Sequence, residues 1–481
     1  MQISCILQAL FIAAGRGKCD IGHVSPGHRF AMQSVAAEIA LQQGEIMKTL
    51  THLIVGLAAI IALALSASAQ SSGVMPQFDK ELANVWIRHA DRTVLGEDIV
   101  HYRYDVVVGT GKFDVIRLHR VVRERHPYQP IRTLDGVLLL AGSPNYFEAM
   151  FLEPLISQVV PWDRALAVYL AQSDIDVWGM DYAWALVPAG TTGLSFMKGW
   201  GLGKDGQHTE IALSLARLLR GLSGQGFGQL NLLGFSYGGI VGYTIAGEEA
   251  QRRRDQRNLK GLIIFDVGMK LKEQEYRDTY CGFAAADQAN LDAGVYNDDT
   301  GLFLKALSDL ALSAPNDPSD LIPGTTNYQA ALLFGANPAL LNGQFWHFVG
   351  GFLDENGIPS GLRFTEDRLW LDILQNMPPH LPVQTDFDVD ATFCGKIDMP
   401  FDNHLGQITL PILLAGAEGG FGQAGVYTTT LTGSKDVTKF IVQRLPDDQR
   451  AEDFGHVDTV AGKDAKSHVW KPVLDWIMAH R

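Results

Sequence analysis

Cysteine is scarce in this chain. Four cysteines occur among 481 residues, and only Cys281 and Cys394 lie beyond residue 70. No cysteines and histidines stand together at the spacing of a zinc site. The sequence therefore predicts no metal centre.

Positive charge is also in short supply. Lysine and arginine number 39 against 53 aspartates and glutamates, which gives a formal net charge of −14. The chain has no run or stripe of basic residues, so nucleic-acid binding is not expected. This balance suits an acidic protein whose partner is neutral or hydrophobic.

A hydrophobic run long enough to span a membrane is missing near the N-terminus. The apolar run Leu53–Leu65 has about 13 residues, fewer than the roughly 20 of a spanning helix. Lys48 precedes this run, and Ala67-Ser68-Ala69 follows it. A positive start, a short apolar core and an A-x-A site are typical of a cleavable signal peptide.

The N-terminal organisation follows from that pattern. We expect the signal peptide to cover residues 47–69 and the mature chain to begin near Gln70. Residues 1–46 are then an upstream extension, with Met47 as the true start. The protein is expected to be secreted or periplasmic without a stable membrane anchor, and an uncleaved anchor is the alternative.

One stretch carries a chemical motif. Residues 230–240 read LNLLGFSYGGI, and Gly234, Ser236 and Gly238 form the pattern Gly-x-Ser-x-Gly between a predicted strand and a predicted helix. A serine hydroxyl is a weak nucleophile and must project from a tight bend to reach a base and a substrate. Glycines two residues to either side remove side chains that would collide there. We predict Ser236 as a nucleophile, against the alternative of an ordinary glycine turn.

The chain around this motif alternates in a regular way. Helices are expected at 81–87 and 148–158, and an antiparallel hairpin at 99–108 and 113–122. Buried strands and amphipathic helices then alternate, which predicts an α/β fold with a parallel sheet covered on both faces by helices. The predicted strands are Gly136–Ala141, Ile175–Trp178, Leu230–Leu233, Leu262–Phe265, Leu410–Ala415 and Thr438–Leu445. The core thus has two parts, 70–270 and 405–481.

Residues 271–404 interrupt this alternation. They show helical patches, clusters of Pro, Asn and Asp, and many large apolar side chains, including Phe348 and Trp370. We interpret them as a mainly helical cap over the sheet, with a separate domain as the alternative. Secretion and the even cysteine count favour a disulfide between Cys281 and Cys394, which would tie the two ends of the insertion together.

A nucleophilic serine needs a base and an acid that orients the base. His456 lies in a loop between the last predicted strand and the C-terminal helix, where the base is expected. Two carboxylates compete for the role of acid. Glu418 is the first carboxylate after the Leu410–Ala415 strand and is slightly favoured, and Asp266 ends the strand that follows the Ser236 helix.

Attack of a serine on a carbonyl group produces a tetrahedral intermediate with a negatively charged oxygen. That oxygen needs hydrogen-bond donors. The backbone N–H of Tyr237, directly after Ser236, is one predicted donor. The second is expected in the loop after Ala141, where Ser143 is the choice because Pro144 has no N–H.

Taken together, these residues resemble the α/β-hydrolase superfamily over about 99–270 and 405–481. YDVVVGTGKFDVIRLHR resembles the first hairpin of its acid-lipase-like branch, and FGHVDTVAGKDAKSHVWKPVLDWI resembles the segment that carries the histidine. The resemblance implies a serine enzyme that hydrolyses a small-molecule, lipid or polymer ester without a cofactor.

Two positions depart from the family pattern. Ala141-Gly142 replaces the usual His-Gly, and Gly419 stands where the acidic residue is usual. The open alternatives are an acyltransferase, a peptidase or a catalytically silent binding protein on the same fold.

Overall fold

A ten-stranded sheet is the centre of the fold in this computed structural model. The structure describes residues 82, 84–96, 98–337 and 345–481. They belong to one unit, 75–481. The predicted signal peptide and residues 1–46 lie outside the described residues. Within the described part of the chain, no helix has the length and apolar character needed to cross a membrane.

The strands and helices are numbered in chain order. The strands are β1 (Trp86–Val94), β2 (Ile99–Val107), β3 (Val115–His126), β4 (Gln129–Pro130), β5 (Asp135–Leu140), β6 (Ile175–Asp181), β7 (Leu230–Phe235), β8 (Leu259–Phe265), β9 (Asn297–Asp298), β10 (Gly351–Leu353), β11 (Pro359–Leu362), β12 (Leu381–Pro382), β13 (Ile412–Ala417) and β14 (Val437–Val442). The α-helices are α1 (Phe147–Phe151), α2 (Leu166–Gln172), α3 (Leu202–Leu222), α4 (Tyr237–Ala250), α5 (Gln274–Asp292), α6 (Thr300–Ser313), α7 (Asn327–Ala336), α8 (Asp367–Gln375), α9 (Val383–Cys394), α10 (Gly422–Thr430), α11 (Asp458–Ala461) and α12 (Lys471–Ala479).

The sheet has the order β1-β2-β3-β6-β5-β7-β8-β13-β14, and β4 pairs with β3. The strands β6, β5, β7, β8, β13 and β14 run parallel to one another. The first three strands form an antiparallel extension. The predicted hairpin and the predicted parallel α/β sheet are both present.

Two hydrophobic layers cover the parallel strands, as the continuous apolar runs in the sequence predict. Along β5, Val137 and Leu139 join one buried cluster, whereas Leu138 and Leu140 join the other. Successive strand side chains point to opposite faces, so each run supplies both layers. Because parallel strands end at the same edge of a sheet, the loops after β5, β7, β8 and β13 meet there.

The structure differs from two sequence expectations. Of the helix expected at 81–87, the described residues 82 and 84–87 are not helical. Trp86 and Ile87 belong to β1, where pairing with β2 sets the conformation. The helix expected over 148–158 ends at Phe151 and continues as a 3₁₀ turn at Glu153–Leu155. Pro154 lies in this turn, and a proline cannot donate the hydrogen bond that an α-helix requires.

The segment between β8 and β13 carries helices α5 to α9 and two small two-stranded sheets, β10-β11 and β12-β9. Cys281 in α5 and Cys394 at the end of α9 form a disulfide, with their Cα atoms 4.6 Å apart. The pairing is the one that the sequence predicts. It joins the first and the last helix of this segment, which we call the cap.

Candidate active site

Ser236 lies at the sharp turn between β7 and α4. Its backbone has φ +55° and ψ −125°, a conformation that is costly for a residue with a side chain. A Cβ atom on Gly234 would overlap the backbone of Gly238, and one on Gly238 would overlap the carbonyl oxygen of Leu140. The spacing of the two glycines is therefore a steric requirement of this turn.

The loop after β5 runs close to Ser236. A Cβ atom on Gly142 would lie 2.7 Å from Ser236 Cβ and 3.2 Å from Ser236 Oγ, so no larger residue fits there without displacing the serine. Ser143 follows in this loop and lines the same cavity as Ser236. Tyr237 is the first residue of α4, and the first N–H groups of a helix have no acceptor within the helix. Both predicted N–H donors thus stand beside Ser236 in sequence or space.

The carboxylate in contact with His456 is that of Asp266. His456 Nδ1 lies 2.7 Å from Asp266 Oδ2, and both side chains are buried. The N–H of Ala417 donates to Asp266 Oδ1 at 2.7 Å, and the N–H of Phe421 donates to Oδ2 at 3.0 Å. Three donors therefore fix this carboxylate in one position, directed at the imidazole.

Glu418, slightly favoured from the sequence as the acid, does not contact His456. Its Oε1 lies 3.2 Å from Arg450 Nε at the protein surface, and its Oε2 accepts from Gln423. The contact expected of the acid is therefore made by Asp266 and not by Glu418, whose side chain pairs with Arg450 instead. Asp266, the alternative, occupies the position expected of the acid.

The cap holds the loop that carries His456. The N–H of His456 donates to the carbonyl oxygen of His347 at 3.0 Å. The buried carboxylate of Asp458 accepts from the N–H of Gly350 in the cap and from the N–H of Gly455, each at 2.8 Å. The cap is therefore a structural part of the site, and the sequence carries no local pattern that indicates this fastening.

The cap also forms the walls of the cavity above Ser236. This cavity of about 70 Å³ is lined by Ser236, His456 and the loop after β5 on the sheet side. Phe348 and Trp370, which the sequence assigns to the cap, lie in its wall, whereas Phe303 and Phe352 are exposed. The apolar cap residues around it are Leu304, Phe334, Phe348, Trp370, Ile373 and Met377.

Asp205 is hydrogen-bonded to the first residue of α4, the helix that follows Ser236. Its Oδ2 accepts from the hydroxyl of Tyr237 at 2.8 Å and from Trp184 Nε1 at 3.0 Å. Burial raises the pKa of Asp205 to about 7, although these two hydrogen bonds lower it. The Tyr237 side chain is thereby anchored at the start of α4. The sequence gives no local signal for this contact.

One cluster of possible metal ligands exists among the described residues, formed by His101, His119 and Glu148. His101 Nε2 lies 3.0 Å from His119 Nδ1, with ring centroids 5.2 Å apart and nearly coplanar. That separation places the rings edge to edge, with the two nitrogens facing one another in a hydrogen bond. His119 Nε2 also lies 3.0 Å from a carboxylate oxygen of Asp181. One ring nitrogen of each histidine is therefore used in the contact between the two rings. The residues of this cluster do not line the Ser236 cavity.

We compared the sequence and the structure of this chain with those of known proteins. No protein-family model and no curated protein sequence matches the chain. A crystal structure from Sulfolobus solfataricus described as "a putative lipase" is 16% identical and has a TM-score of 0.53, covering 82% of this chain and 100% of that chain. Two structures are less similar. A monoglyceride lipase of Saccharomyces cerevisiae is 12% identical with a TM-score of 0.45, covering 77% of this chain and 94% of that one. A carboxyl esterase of Bacillus coagulans is 10% identical with a TM-score of 0.42, covering 79% and 98%.

At these identities the similarity concerns the fold. The chain has the α/β-hydrolase fold, with a mostly parallel sheet covered by helices, as its sequence motifs predict. The structures that resemble it include lipases and esterases.

Proposed function

We propose that the protein is a secreted serine hydrolase that cleaves carboxylic esters through an acyl-enzyme. The contact between His456 Nδ1 and Asp266 Oδ2, in a site whose cavity also contains Ser236, is the observation that carries this proposal. Asp266 occupies Nδ1 of the imidazole, which leaves Nε2 as the nitrogen for the serine hydroxyl.

In the proposed reaction, Ser236 Oγ attacks the ester carbonyl carbon while His456 Nε2 accepts the hydroxyl proton. The carbonyl electron pair moves onto the oxygen, which the N–H groups of Tyr237 and Ser143 stabilise. The intermediate collapses, His456 returns the proton to the leaving alcohol, and water releases the acyl group by the same sequence. Asp266 holds the imidazole in orientation and stabilises its protonated form.

The cavity suggests the kind of acyl group. Its volume is about 70 Å³ and its cap side is apolar. A water molecule takes about 30 Å³ in the liquid, so this small cavity suits a short acyl chain. We propose a short, hydrophobic acyl group as the preferred substrate portion.

Labelling with a fluorophosphonate probe tests the function. The purified protein should react covalently, and Ser236→Ala should abolish both the labelling and the hydrolysis of p-nitrophenyl butyrate. A folded wild-type protein that neither reacts with the probe nor turns over esters would refute the proposal and favour a binding protein with a hydrolase fold.

Secretion is the second part of the proposal, supported by the pattern over residues 47–69. Expression of the chain from Met47 in a Gram-negative host should place the protein in the periplasm. N-terminal sequencing of that material should begin at Gln70. Recovery of cytoplasmic protein that still carries the leader would contradict this proposal without affecting the chemistry.

A further inference from the structure

Asn145 is a polar residue of the cavity to which the proposed reaction gives no role. It lies in the loop between β5 and α1 and lines the cavity together with Ser236 and His456. The residue is only 7% exposed. Its Oδ1 is buried and has no hydrogen-bond partner.

Burial of an amide oxygen without a hydrogen-bond partner lowers the stability of the folded protein. Such groups are uncommon in folded proteins, and each calls for an explanation. Two other buried asparagines also have an unpartnered atom, but each is fixed through its second amide atom. Asn231 Nδ2 donates to Asp135, and Asn258 Oδ1 accepts from Arg217. For Asn145, no hydrogen bond joins either amide atom to another described residue, so its amide is available to a molecule that enters the cavity.

The size of the cavity places that molecule within reach. Asn145, Ser143, Ser236 and His456 line one cavity of only about 70 Å³, so a carbonyl held beside Ser236 shares this small space with the Asn145 amide. The reacting carbonyl must lie about 3–3.5 Å from Ser236 Oγ. The same loop that presents Asn145 passes beside this oxygen at Gly142. Rotation of the amide exchanges Oδ1 and Nδ2, so an N–H group can face the carbonyl oxygen.

We propose that the side-chain amide of Asn145 donates a third hydrogen bond to the substrate carbonyl oxygen and is a catalytic residue. This inference rests on the proposed ester hydrolysis. As Ser236 Oγ bonds to the carbonyl carbon, the π electron pair moves onto the oxygen and the hydroxyl proton moves to His456. The charge that develops strengthens the bond from Asn145, as it strengthens those from Tyr237 and Ser143.

The kinetics of Asn145→Ala test the role. Removal of one donor at such a site typically lowers kcat by 10²–10³-fold. We therefore expect a loss of about 100-fold in kcat for p-nitrophenyl butyrate, with KM within about threefold of the wild-type value. That division between kcat and KM follows because the bond is strongest in the transition state. A folded variant with wild-type kcat, or with a change in KM alone, would overturn the proposal.

Two further variants complete the design. Asn231→Ala removes a buried asparagine of β7 that does not line the cavity, and it should lower the melting temperature while kcat stays within about twofold of wild type.

Asn145→Asp keeps the size of the side chain, and its carboxylate should lower kcat at least as far as alanine does because it repels the oxyanion. If the alanine variant does not fold, the aspartate variant decides, and a wild-type kcat there refutes the proposal. If the wild-type protein itself neither reacts with the fluorophosphonate probe nor hydrolyses esters, the proposed hydrolase function is refuted. This result differs from an active wild-type protein whose Asn145 variants have unchanged kcat, which refutes only the role of Asn145.

Discussion

Asp266 and His456 lie 190 positions apart in the chain, yet their side chains meet at 2.7 Å between Oδ2 and Nδ1. The contact forms because β8 ends beside β7 and β13 at one edge of the sheet, and the loop carrying His456 crosses that edge. Asp266 itself adopts φ +47°, a left-handed conformation that is uncommon for residues other than glycine. We take this arrangement as the orienting element of the proposed reaction.

Replacement of the two competing carboxylates should separate their roles. Asp266→Asn keeps the shape of the side chain but no longer holds the imidazole in the required tautomer, so kcat should fall by roughly 10⁴-fold. Glu418→Gln removes a surface ion pair with Arg450 and should leave kcat within about twofold of wild type. Steady-state hydrolysis of p-nitrophenyl butyrate measures both. Equal losses in the two variants would contradict the assignment of Asp266.

Much of this fold could be predicted because its signals are local. Continuous apolar runs and helical periodicity predict the parallel strands and their covering helices, and the glycine spacing around Ser236 reports a steric requirement of the turn itself. The loop position of His456 follows from the order of the strands.

The identity of the acid could not be predicted, because both candidates follow parallel strands that end at the same edge of the sheet. The choice depends on the direction of each side chain and on the N–H groups of Ala417 and Phe421, which reach Asp266 from another strand and loop. Asn145 was missed for a similar reason, since nothing in its local sequence shows that its amide lacks a partner. Strand β1 depends on pairing with β2, which the pattern at Trp86 does not reveal.

Gly142 should tolerate no side chain, because an alanine Cβ would lie 2.7 Å from Ser236 Cβ. Gly142→Ala should therefore displace the hydroxyl and lower the rate of fluorophosphonate labelling by about 10–100-fold. Gly190→Ala is the matched control, because a Cβ atom there meets nothing within 4 Å. Wild-type labelling by the Gly142 variant would show that the loop can move away from Ser236.

Asp205 should make stability depend on pH. Its pKa is raised to about 7 in the folded protein by burial, whereas an exposed aspartate has a pKa near 3.9. Between these values the folded state binds more protons than the unfolded state, so the free energy of unfolding falls as pH rises from about 4 to about 7 and is level above that. Urea titrations at pH 5 and pH 8 should show a smaller difference in Asp205→Asn than in wild type. An unchanged difference would exclude Asp205 as a source of the pH dependence.

The Cys281–Cys394 disulfide closes a loop with a sequence separation of 113 residues. Replacement of both cysteines by serine should lower the free energy of unfolding by about 2–5 kcal/mol, because the unfolded chain regains the freedom that the cross-link removes. Urea unfolding with and without reductant measures this effect. The wild-type protein should lose stability in reductant and the double variant should not, and identical behaviour of the two proteins would argue against the bond.

A substitution in helix α6 of the cap should change the preferred length of the acyl chain. Leu304 in α6 is buried and lines the cavity, whereas Leu310 in the same helix is 36% exposed. Leu304→Ala removes three carbon atoms from the wall, so kcat/KM for p-nitrophenyl octanoate should rise at least tenfold relative to the butyrate value, as expected when about 1.4 kcal/mol of steric conflict is relieved. Leu310→Ala should leave that ratio unchanged, because its side chain lies on the outer face. If wild type already prefers octanoate, or if both variants shift the ratio equally, the cavity does not set the length of the acyl chain.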